Sequence, residues 1–230
     1  MTIDTKIYQT RFGEEEFGGR IELWRILCND WFAKFISPEF TVLDVGAGAC
    51  EFINNIRAKR KIAIDHNPDM KKFAAPGVEC IIGSFQEGLA QVAPDTVDAA
   101  LASNVFEHLA DRHELFEILA ACYRALKPGG KMIIMQPNYA AVKEKFYDFA
   151  DHSLPLTEKG MAEALQSNGF RIDYSKARFI PYTTKSRYPS WPILVRLYLR
   201  MPLAHWLLGG QMFFVATKPL DAQGNQRSSI

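Results

Sequence analysis

Short apolar runs alternate along this chain with longer segments that have helical periodicity. The runs are rich in β-branched and small apolar residues and stop at acids, serines or glycine turns, which is typical of buried strands in a parallel sheet. Five strands are predicted, at Thr41–Val45, Lys61–Asp65, Val78–Phe85, Val97–Ala102 and Lys131–Met135. A helix is predicted from Arg112 to Leu126. Strands that alternate with helices predict an α/β fold with a doubly wound sheet.

The turn after the first predicted strand carries the most specific chemistry. Gly46 and Gly48 follow that strand, and such a turn binds nucleotide-like ligands at the carboxyl end of a parallel sheet. A dinucleotide fingerprint needs a third glycine where this chain has Glu51, whose bulk and charge disfavour a diphosphate. Asp44, just before the turn, suits a cationic ligand end such as an ammonium or a sulfonium. The pattern therefore disfavours an NAD-dependent oxidoreductase and favours S-adenosylmethionine.

Further segments follow in an order that resembles the class I S-adenosylmethionine-dependent methyltransferases of the group that methylates small molecules. The matching segments are Val42–Gly48, Ile64–Asp65, Gly83–Phe85, Ser103–Leu109 and Leu126–Gly130. The resemblance implies a mostly parallel seven-stranded sheet with helices on both faces and an antiparallel last strand. It places the last two strands at Phe170–Tyr174 and Gln211–Thr217.

The resemblance also implies which residues hold the cofactor. Asp44 and Gly46 are expected beside its methionine end, Asp65 at the ribose hydroxyls, and Ser84 with Phe85 around the adenine. The full set of expected cofactor contacts is Asp44, Gly46, Ala47, Gly48, Asp65, His66, Ser84, Phe85, Ser103 and Asn104.

Two positions depart from the family pattern. Cys50 stands where the family often has a third glycine, so backbone freedom is reduced. Ser84 stands where the family often has an aspartate that accepts a hydrogen bond from the adenine amino group. A hydroxyl accepts such a bond without the charge assistance of a carboxylate. Both changes predict weaker cofactor binding, and neither removes the site.

Methyl transfer to a hydroxyl depends mainly on positioning, with a contribution from a general base. His108, after the fourth strand, and His152, after the fifth, are the candidate bases. The alternatives are a structural or cofactor-contacting role for His108 and an ordinary loop position for His152. Asn138 and Tyr139 directly follow the fifth strand and are expected to contact the acceptor. No metal is predicted, because the histidines and cysteines lack ligand spacing.

Composition predicts one ordinary globular domain with a sizeable core. The chain has 230 residues, of which 48% are apolar and 23% charged, and its formal net charge of +1 gives no overall attraction to nucleic acid. Scattered cysteines, and the lack of a signal pattern at the start, predict a cytoplasmic protein. The domain is expected over residues 1–220, with a cap helix at 1–37, the cofactor core at 38–138, a substrate-side connection at 139–169, a basic and aromatic insert at 182–208, and a disordered tail at 221–230.

The insert at 182–208 has an unusual charge pattern. No acidic residue lies between Tyr174 and Leu220, and aromatic residues are interleaved with the basic ones. The apolar segment around Arg196 and Arg200 is too short to span a bilayer. Its pattern is compatible with a segment that lies on a membrane surface, which would make the protein peripherally membrane-associated, or that covers a lipid-linked anionic substrate. The alternative is a helix that packs in the core or forms a dimer, and the oligomeric state stays open.

These observations predict an S-adenosylmethionine-dependent methyltransferase that acts on a small-molecule acceptor, at oxygen, with a glycan- or lipid-linked acceptor as an extension of that prediction. One alternative is a catalytically inactive protein of the same fold that binds the cofactor and acts through interactions. A nucleic-acid methyltransferase is less favoured, because Asn104 is followed by Val105 and not by the Pro-Pro-aromatic sequence of base-amino methylators.

Overall fold

The computed structural model describes residues 14–182 and 191–220, with side chains from residue 19 onward. Sequence predictions for 1–13, for 183–190 of the insert and for the tail at 221–230 concern parts of the chain outside these residues. The described strands are β1 (Thr41–Val45), β2 (Arg60–Asp65), β3 (Val78–Ile82), β4 (Val97–Ser103), β5 (Leu126–Pro137), β6 (Arg171–Lys176) and β7 (Gln211–Thr217).

The strands form one seven-stranded sheet in the order β3-β2-β1-β4-β5-β7-β6. Strands β1 to β5 pair in parallel, whereas β7 runs antiparallel to both β5 and β6. The predicted α/β sheet with an antiparallel last strand is therefore confirmed. Strands β1 and β4 are neighbours in the sheet but are not consecutive in sequence. The order in which strands are added to the sheet therefore reverses between them. Ligands bind at the carboxyl ends of the strands at such a point.

Helices connect the strands and cover the sheet. They are α1 (Glu14–Asp30), α2 (Glu51–Asn55), α3 (Met70–Phe73), α4 (Phe85–Ala90), α5 (Arg112–Ala125), α6 (Tyr139–Val142), α7 (Glu158–Ser167), α8 (Pro192–Leu199) and α9 (Pro202–Leu208). Short 3-10 turns lie at Phe32–Lys34, Phe106–His108 and Lys143–Asp148.

The sheet separates two hydrophobic cores. Successive side chains of a strand point to opposite faces, so Leu43 packs into one core while its neighbour Val42 packs into the other. The first core contains side chains of α4, α5 and α7. The second contains side chains of α1, α2 and α8, where Trp24 stacks on Phe32 at a centroid distance of 6.0 Å. Helices on both faces follow from this alternation.

Two sequence predictions of local structure need correction. The third strand ends at Ile82, because Ser84 is the N-cap of α4: its hydroxyl accepts a hydrogen bond from the Glu87 amide and its own amide donates to the Glu87 carboxylate. The turn Pro128–Gly130 lies inside β5 as an irregularity, since the register with β4 shifts between Val97 and Ala99.

Candidate active site

A cleft of about 600 Å³ opens where β1, β2 and β4 end. Every residue that the sequence predicts as a cofactor contact lines this cleft, and so do His108 and His152. The predicted residues in its wall are Asp44, Gly46, Ala47, Gly48, Asp65, His66, Ser84, Phe85, Ser103 and Asn104. These residues come from four separate segments of the chain. They meet because the carboxyl ends of parallel strands share one edge of the sheet.

The glycine turn after β1 has a conformation and surroundings that require glycine. Gly46 has a φ of 75°, and a Cβ at this position would lie 2.5 Å from a methyl carbon of Val105. The amides of Gly46 and Ala47 both donate to the carbonyl oxygen of Ile64, at 2.8 and 3.0 Å. The turn is thus held against the end of β2, and its backbone faces the cleft without an intervening side chain.

Asp65 connects the glycine turn to the loop after β2. One carboxylate oxygen accepts a hydrogen bond from the Gly48 amide at 2.7 Å, and the other accepts from the Asn67 amide at 2.8 Å. His66 beside it is largely exposed, with its Nδ1 atom 3.6 Å from the Asp65 carboxylate. Each carboxylate oxygen has a second lone pair. Asp65 can therefore accept hydrogen bonds from a ligand while it organises both loops.

Buried carboxylates surround the glycine turn. Burial, with the nearby charges of Asp65 and Glu51, raises the pKa of Asp44 well above its usual range. Burial also raises the pKa of Glu51, against the opposing effect of Arg20, whose guanidinium lies 2.8 Å from the Glu51 carboxylate. Three acids in a confined cleft favour a ligand with cationic and hydroxyl groups over a diphosphate. This arrangement agrees with the sequence argument from Glu51.

The two departures from the family pattern have distinct structural consequences. Cys50 adopts a left-handed conformation with a φ of 60°, the region that a glycine would enter without strain. Its thiol is buried, and burial raises the pKa of this group to about 12. The Ser84 hydroxyl lies in the cleft wall but also donates to the Glu87 carboxylate at 2.9 Å. Ser84 therefore has a structural role as the cap of α4.

A cluster of titratable side chains forms the other end of the cleft. The rings of His108 and His152 are 5.0 Å apart and nearly perpendicular. His108 Nδ1 lies 3.1 Å from the carbonyl oxygen and 3.3 Å from the carboxylate of Asp151. His152 Nδ1 lies 3.2 Å from the hydroxyl of Tyr182. Glu107, which is only 2% exposed, completes this histidine cluster.

The histidine cluster can act on a proton or hold a cation. Each imidazole has a ring nitrogen engaged by a neighbour, which orients the ring, and a neutral imidazole has one nitrogen that accepts a proton. One ligand atom from each of Glu107, His108 and His152 lies within 4.8 Å of the other two. That is a spacing which a divalent cation could bridge. The sequence prediction of no metal rested on spacing along the chain, and it stays a prediction.

The predicted acceptor contacts Asn138 and Tyr139 do not line the cleft. Asn138 is buried, and its amide bonds the backbone: Nδ2 donates to the Ala177 carbonyl at 2.8 Å, and Oδ1 accepts from the Ala140 and Glu158 amides. It borders a separate cavity of about 370 Å³. The Tyr139 ring packs edge to face against Phe146. These contacts give both residues a structural role at the end of β5.

Several residues of the cleft wall were missed by sequence reasoning. Trp24 on α1 is one, as are Glu107, Asp151 and Tyr182. Glu107 and Asp151 each stand next to a predicted histidine, so proximity along the chain was an available signal. In the sequence, Tyr182 is one of several aromatic residues of the insert. Nothing in the sequence indicated that it would lie beside His152.

Comparisons with known proteins agree with this geometry. Residues 43–134 match the protein family described as methyltransferase domain. A SAM-dependent methyltransferase from Archaeoglobus fulgidus is similar in structure, with 25% sequence identity and a TM-score of 0.64 over 89% of this chain and 97% of that one. No curated protein is significantly similar in sequence.

Two more distant structures share the fold. A methyltransferase solved in complex with the Haloferax volcanii Trm112 activator has a TM-score of 0.66 at 16% identity, over 94% of this chain and 97% of that one. A SAM-dependent methyltransferase from Thermotoga maritima has a TM-score of 0.62 at 18% identity, over 93% of this chain and 98% of that one. The family match spans the glycine turn, Asp65 and the loop after β4, which are the parts that build the cleft.

Proposed function

We propose that this chain, a class I S-adenosylmethionine-dependent methyltransferase, moves the methyl group to an oxygen atom of a small molecule bound against the histidine cluster. The observation that carries the proposal is the pairing of His108 and His152 in the cleft that also contains the glycine turn. A hydroxyl must lose its proton as it attacks, so an oxygen acceptor benefits from a base, whereas a neutral amine does not need one.

Within this proposal, the residues around the glycine turn bind the cofactor. Asp44 and Gly46 lie against the methionine end, Asp65 accepts from the ribose hydroxyls, and Ser84 with Phe85 bounds the adenine. The fit is supported by the missing Cβ at Gly46 and by the buried carboxylates, which complement ammonium and hydroxyl groups. The bound cofactor supplies a methyl group on a sulfonium, which is activated for transfer.

The histidine cluster then positions the acceptor and takes its proton. Asp151 holds the His108 ring, and Tyr182 holds the His152 ring. The Tyr182 hydroxyl also lies 3.3 Å from the carbonyl oxygen of Phe146, to which it donates. In that arrangement His152 Nδ1–H donates to the phenol oxygen, and Nε2 is the proton-accepting nitrogen of this tautomer. Trp24 and Leu23 of α1 cover the cleft and limit the access of water.

The two alternatives make different demands on the structure. An inactive cofactor-binding protein would need the glycine turn but would have no use for an oriented histidine pair. A nucleic-acid methyltransferase would need a strong positive field, whereas this chain has a formal net charge of +1. We therefore favour a small acceptor. The acceptor group could belong to a glycan or to a lipid, and we favour a lipid because α8 and α9 expose apolar side chains.

The proposal is tested by incubating the protein with methyl-¹³C S-adenosylmethionine and a panel of phenols, alcohols, carboxylic acids and primary amines. A methoxy or methyl ester carbon in the product spectrum is the expected result. An N-methyl carbon would instead exclude oxygen as the acceptor atom. Cofactor binding without transfer to this panel or to a crude metabolite extract would favour the inactive protein, and transfer to tRNA alone would favour the nucleic-acid enzyme.

A further inference from the structure

The outer faces of α8 and α9 expose an unusual amount of apolar surface. Nine large side chains within residues 191–208 are between 44% and 66% exposed. We refer to them together as the α8–α9 face. They are Trp191, Ile193, Leu194, Leu197, Met201, Leu203, Trp206, Leu207 and Leu208. Single exposed leucines are ordinary, but a contiguous apolar face of this kind marks an interaction surface.

The fold does not need these side chains for its own core. Other residues of the same helices anchor them: Val195, Tyr198 and Leu199 pack into the core beside α1. The Tyr198 hydroxyl donates to the Phe179 carbonyl at 2.6 Å, and Arg196 pairs with Asp30 of α1 at 2.9 Å. Both sides of α8 are thus apolar, one packed inward and one exposed. A helix that served only the core would be polar on its outer side.

A basic cavity lies next to this apolar face. It has a volume of about 370 Å³, and Lys176, Arg178, His205 and Trp206 are among the residues in its wall. Burial, with the charge of Lys176, lowers the pKa of His205, so His205 Nδ1 accepts a hydrogen bond from Lys176 at 2.8 Å. The Arg178 guanidinium lies 3.3 Å from the Trp206 carbonyl oxygen. Cationic groups therefore border the apolar side chains, as an anionic headgroup requires.

We propose that the α8–α9 face binds the surface of a lipid bilayer that contains anionic lipids, with the basic cavity facing their phosphates. The apolar side chains enter the boundary between headgroups and acyl chains, and the two tryptophans lie at the level of the headgroups. Among residues 14–182 and 191–220, no helix is long and apolar enough to cross a membrane. The proposed contact is therefore with one side of the bilayer.

The position of the face suggests what the enzyme methylates. Ile180 and Tyr182 line the cleft, and the chain reaches Trp191 only nine residues after Tyr182. Helix α8 packs on α1, which contributes Leu23 and Trp24 to the cleft wall. The α8–α9 face and the cleft wall thus share α1 as a neighbour, which favours a molecule embedded in the bilayer as the acceptor. This step, which rests on the proposed methyl transfer, assigns a lipid-borne acceptor.

Vesicle co-sedimentation of the full chain tests the proposal. The probes are vesicles of phosphatidylcholine alone and vesicles that also contain phosphatidylglycerol. Wild type should sediment with the anionic vesicles, and added salt should weaken the binding. The double variant Ile193→Ser, Leu207→Ser should bind about a hundredfold more weakly, since each lost side chain is worth at least tenfold. The affinity of Arg178→Gln should be about fivefold weaker than that of wild type for anionic vesicles and unchanged for phosphatidylcholine vesicles.

Matched controls separate this proposal from the proposed function. Phe116→Ser removes an exposed apolar side chain from α5, away from the face, and should bind vesicles as wild type does. Calorimetric binding of S-adenosylmethionine verifies that every variant is folded, and transfer to a water-soluble acceptor reports catalysis independently. If the wild-type protein binds neither kind of vesicle, the membrane proposal is wrong, and the proposed methyl transfer is not affected. A dimer that dissociates in the double variant would instead assign the face to a second copy of the chain.

Discussion

His108 and His152 face each other in the cleft with their ring centroids 5.0 Å apart, although they belong to different loops. His108 follows β4 and His152 lies beyond β5, and these strands are neighbours in the sheet. The loops are also joined directly, because the amides of Ser153 and Leu154 both donate to the Glu107 carbonyl oxygen, at 2.7 and 3.1 Å. The backbone therefore determines the separation of the two imidazoles, and substitutions of either ring should leave the loops in place.

Replacing either histidine should reduce turnover and spare cofactor binding. We expect His152→Asn and His108→Asn each to lower kcat by about 10²–10⁴-fold, the usual contribution of a general base. The affinity for S-adenosylhomocysteine, measured by calorimetry, should change little for His152→Asn. His113→Asn is the matched control, since that histidine is exposed on α5 and pairs with Glu117. Full activity of both single variants would refute a catalytic role for the cluster.

Tyr182 is expected to act through His152 as a positioning residue. Tyr182→Phe keeps the ring that packs edge to face on Phe149 but removes the hydroxyl 3.2 Å from His152 Nδ1. We expect kcat to fall about fivefold while KM for the cofactor stays constant, because one orienting hydrogen bond is worth about 1 kcal/mol. Tyr147→Phe, at an exposed tyrosine, is the control. A rise in KM with unchanged kcat would point to a binding role instead.

Asp65 should contribute most of the affinity for the ribose. Asp65→Asn removes the charge from hydrogen bonds to the ribose and also weakens the bond to the Gly48 amide. We expect about ten- to hundredfold weaker binding of S-adenosylmethionine in calorimetric titrations. The control Asp69→Asn changes an acid four residues later that pairs with Lys72. If Asp65→Asn binds the cofactor as tightly as wild type does, the ribose assignment is wrong.

Cofactor binding should depend on pH through Asp44. Burial raises the pKa of this carboxyl, so ammonium binding must first release its proton, and affinity should rise with pH. The effect should appear below about pH 7.7, where an α-amino group stays protonated. Asp44→Asn should bind more weakly, with little pH dependence. Calorimetric titrations with the cofactor over this pH range test the assignment. If the affinity of Asp44→Asn changes with pH as steeply as that of wild type, the titrating group is not Asp44.

The same substitution should stabilise the protein. A carboxyl whose pKa is raised on folding stabilises the folded state only while it is protonated, and this contribution is lost as pH rises from the unfolded pKa through the folded one. At neutral pH Asp44→Asn should therefore raise Tm by a few degrees, whereas Asp69→Asn should not. Thermal unfolding of wild type and Asp44→Asn at pH 5 and 7 tests this prediction, since the increase in Tm should be smaller at pH 5.

Metal removal tests whether the histidine cluster acts as a base or as a cation site. We expect transfer to continue at an unchanged rate after treatment with EDTA and gel filtration, because the proposed proton acceptors are the imidazoles themselves. The opposite result, a loss of activity that is restored by one divalent cation, would assign Glu107, His108 and His152 as metal ligands. Cobalt spectra of wild type and of His152→Asn would then identify the ligands.

The sequence alone predicted the seven-stranded sheet, and it predicted ten residues that the structure places in the wall of one cleft. Gly46 and Asp65 are recognisable because their roles are set by local geometry, a turn without a Cβ and an acid at the end of a strand. The parallel pairing of β1 to β5 follows from the alternation of strands and helices, and the family resemblance placed β7 at its observed bounds. These features depend on neighbouring residues in the chain, which periodicity and motifs record directly.

The tertiary structure decided which side chains surround the histidine cluster and which helix faces stay exposed. Only folding brings Tyr182 to His152, ties Asn138 to backbone groups and turns Trp206 outward while His205 faces inward. The sequence offered His152 and Asn138 as candidates but gave no indication of their neighbours in the fold. Their roles depend on which loops meet at the sheet edge and on which helix face the rest of the chain covers. Those are contacts between distant segments, and no local pattern encodes them.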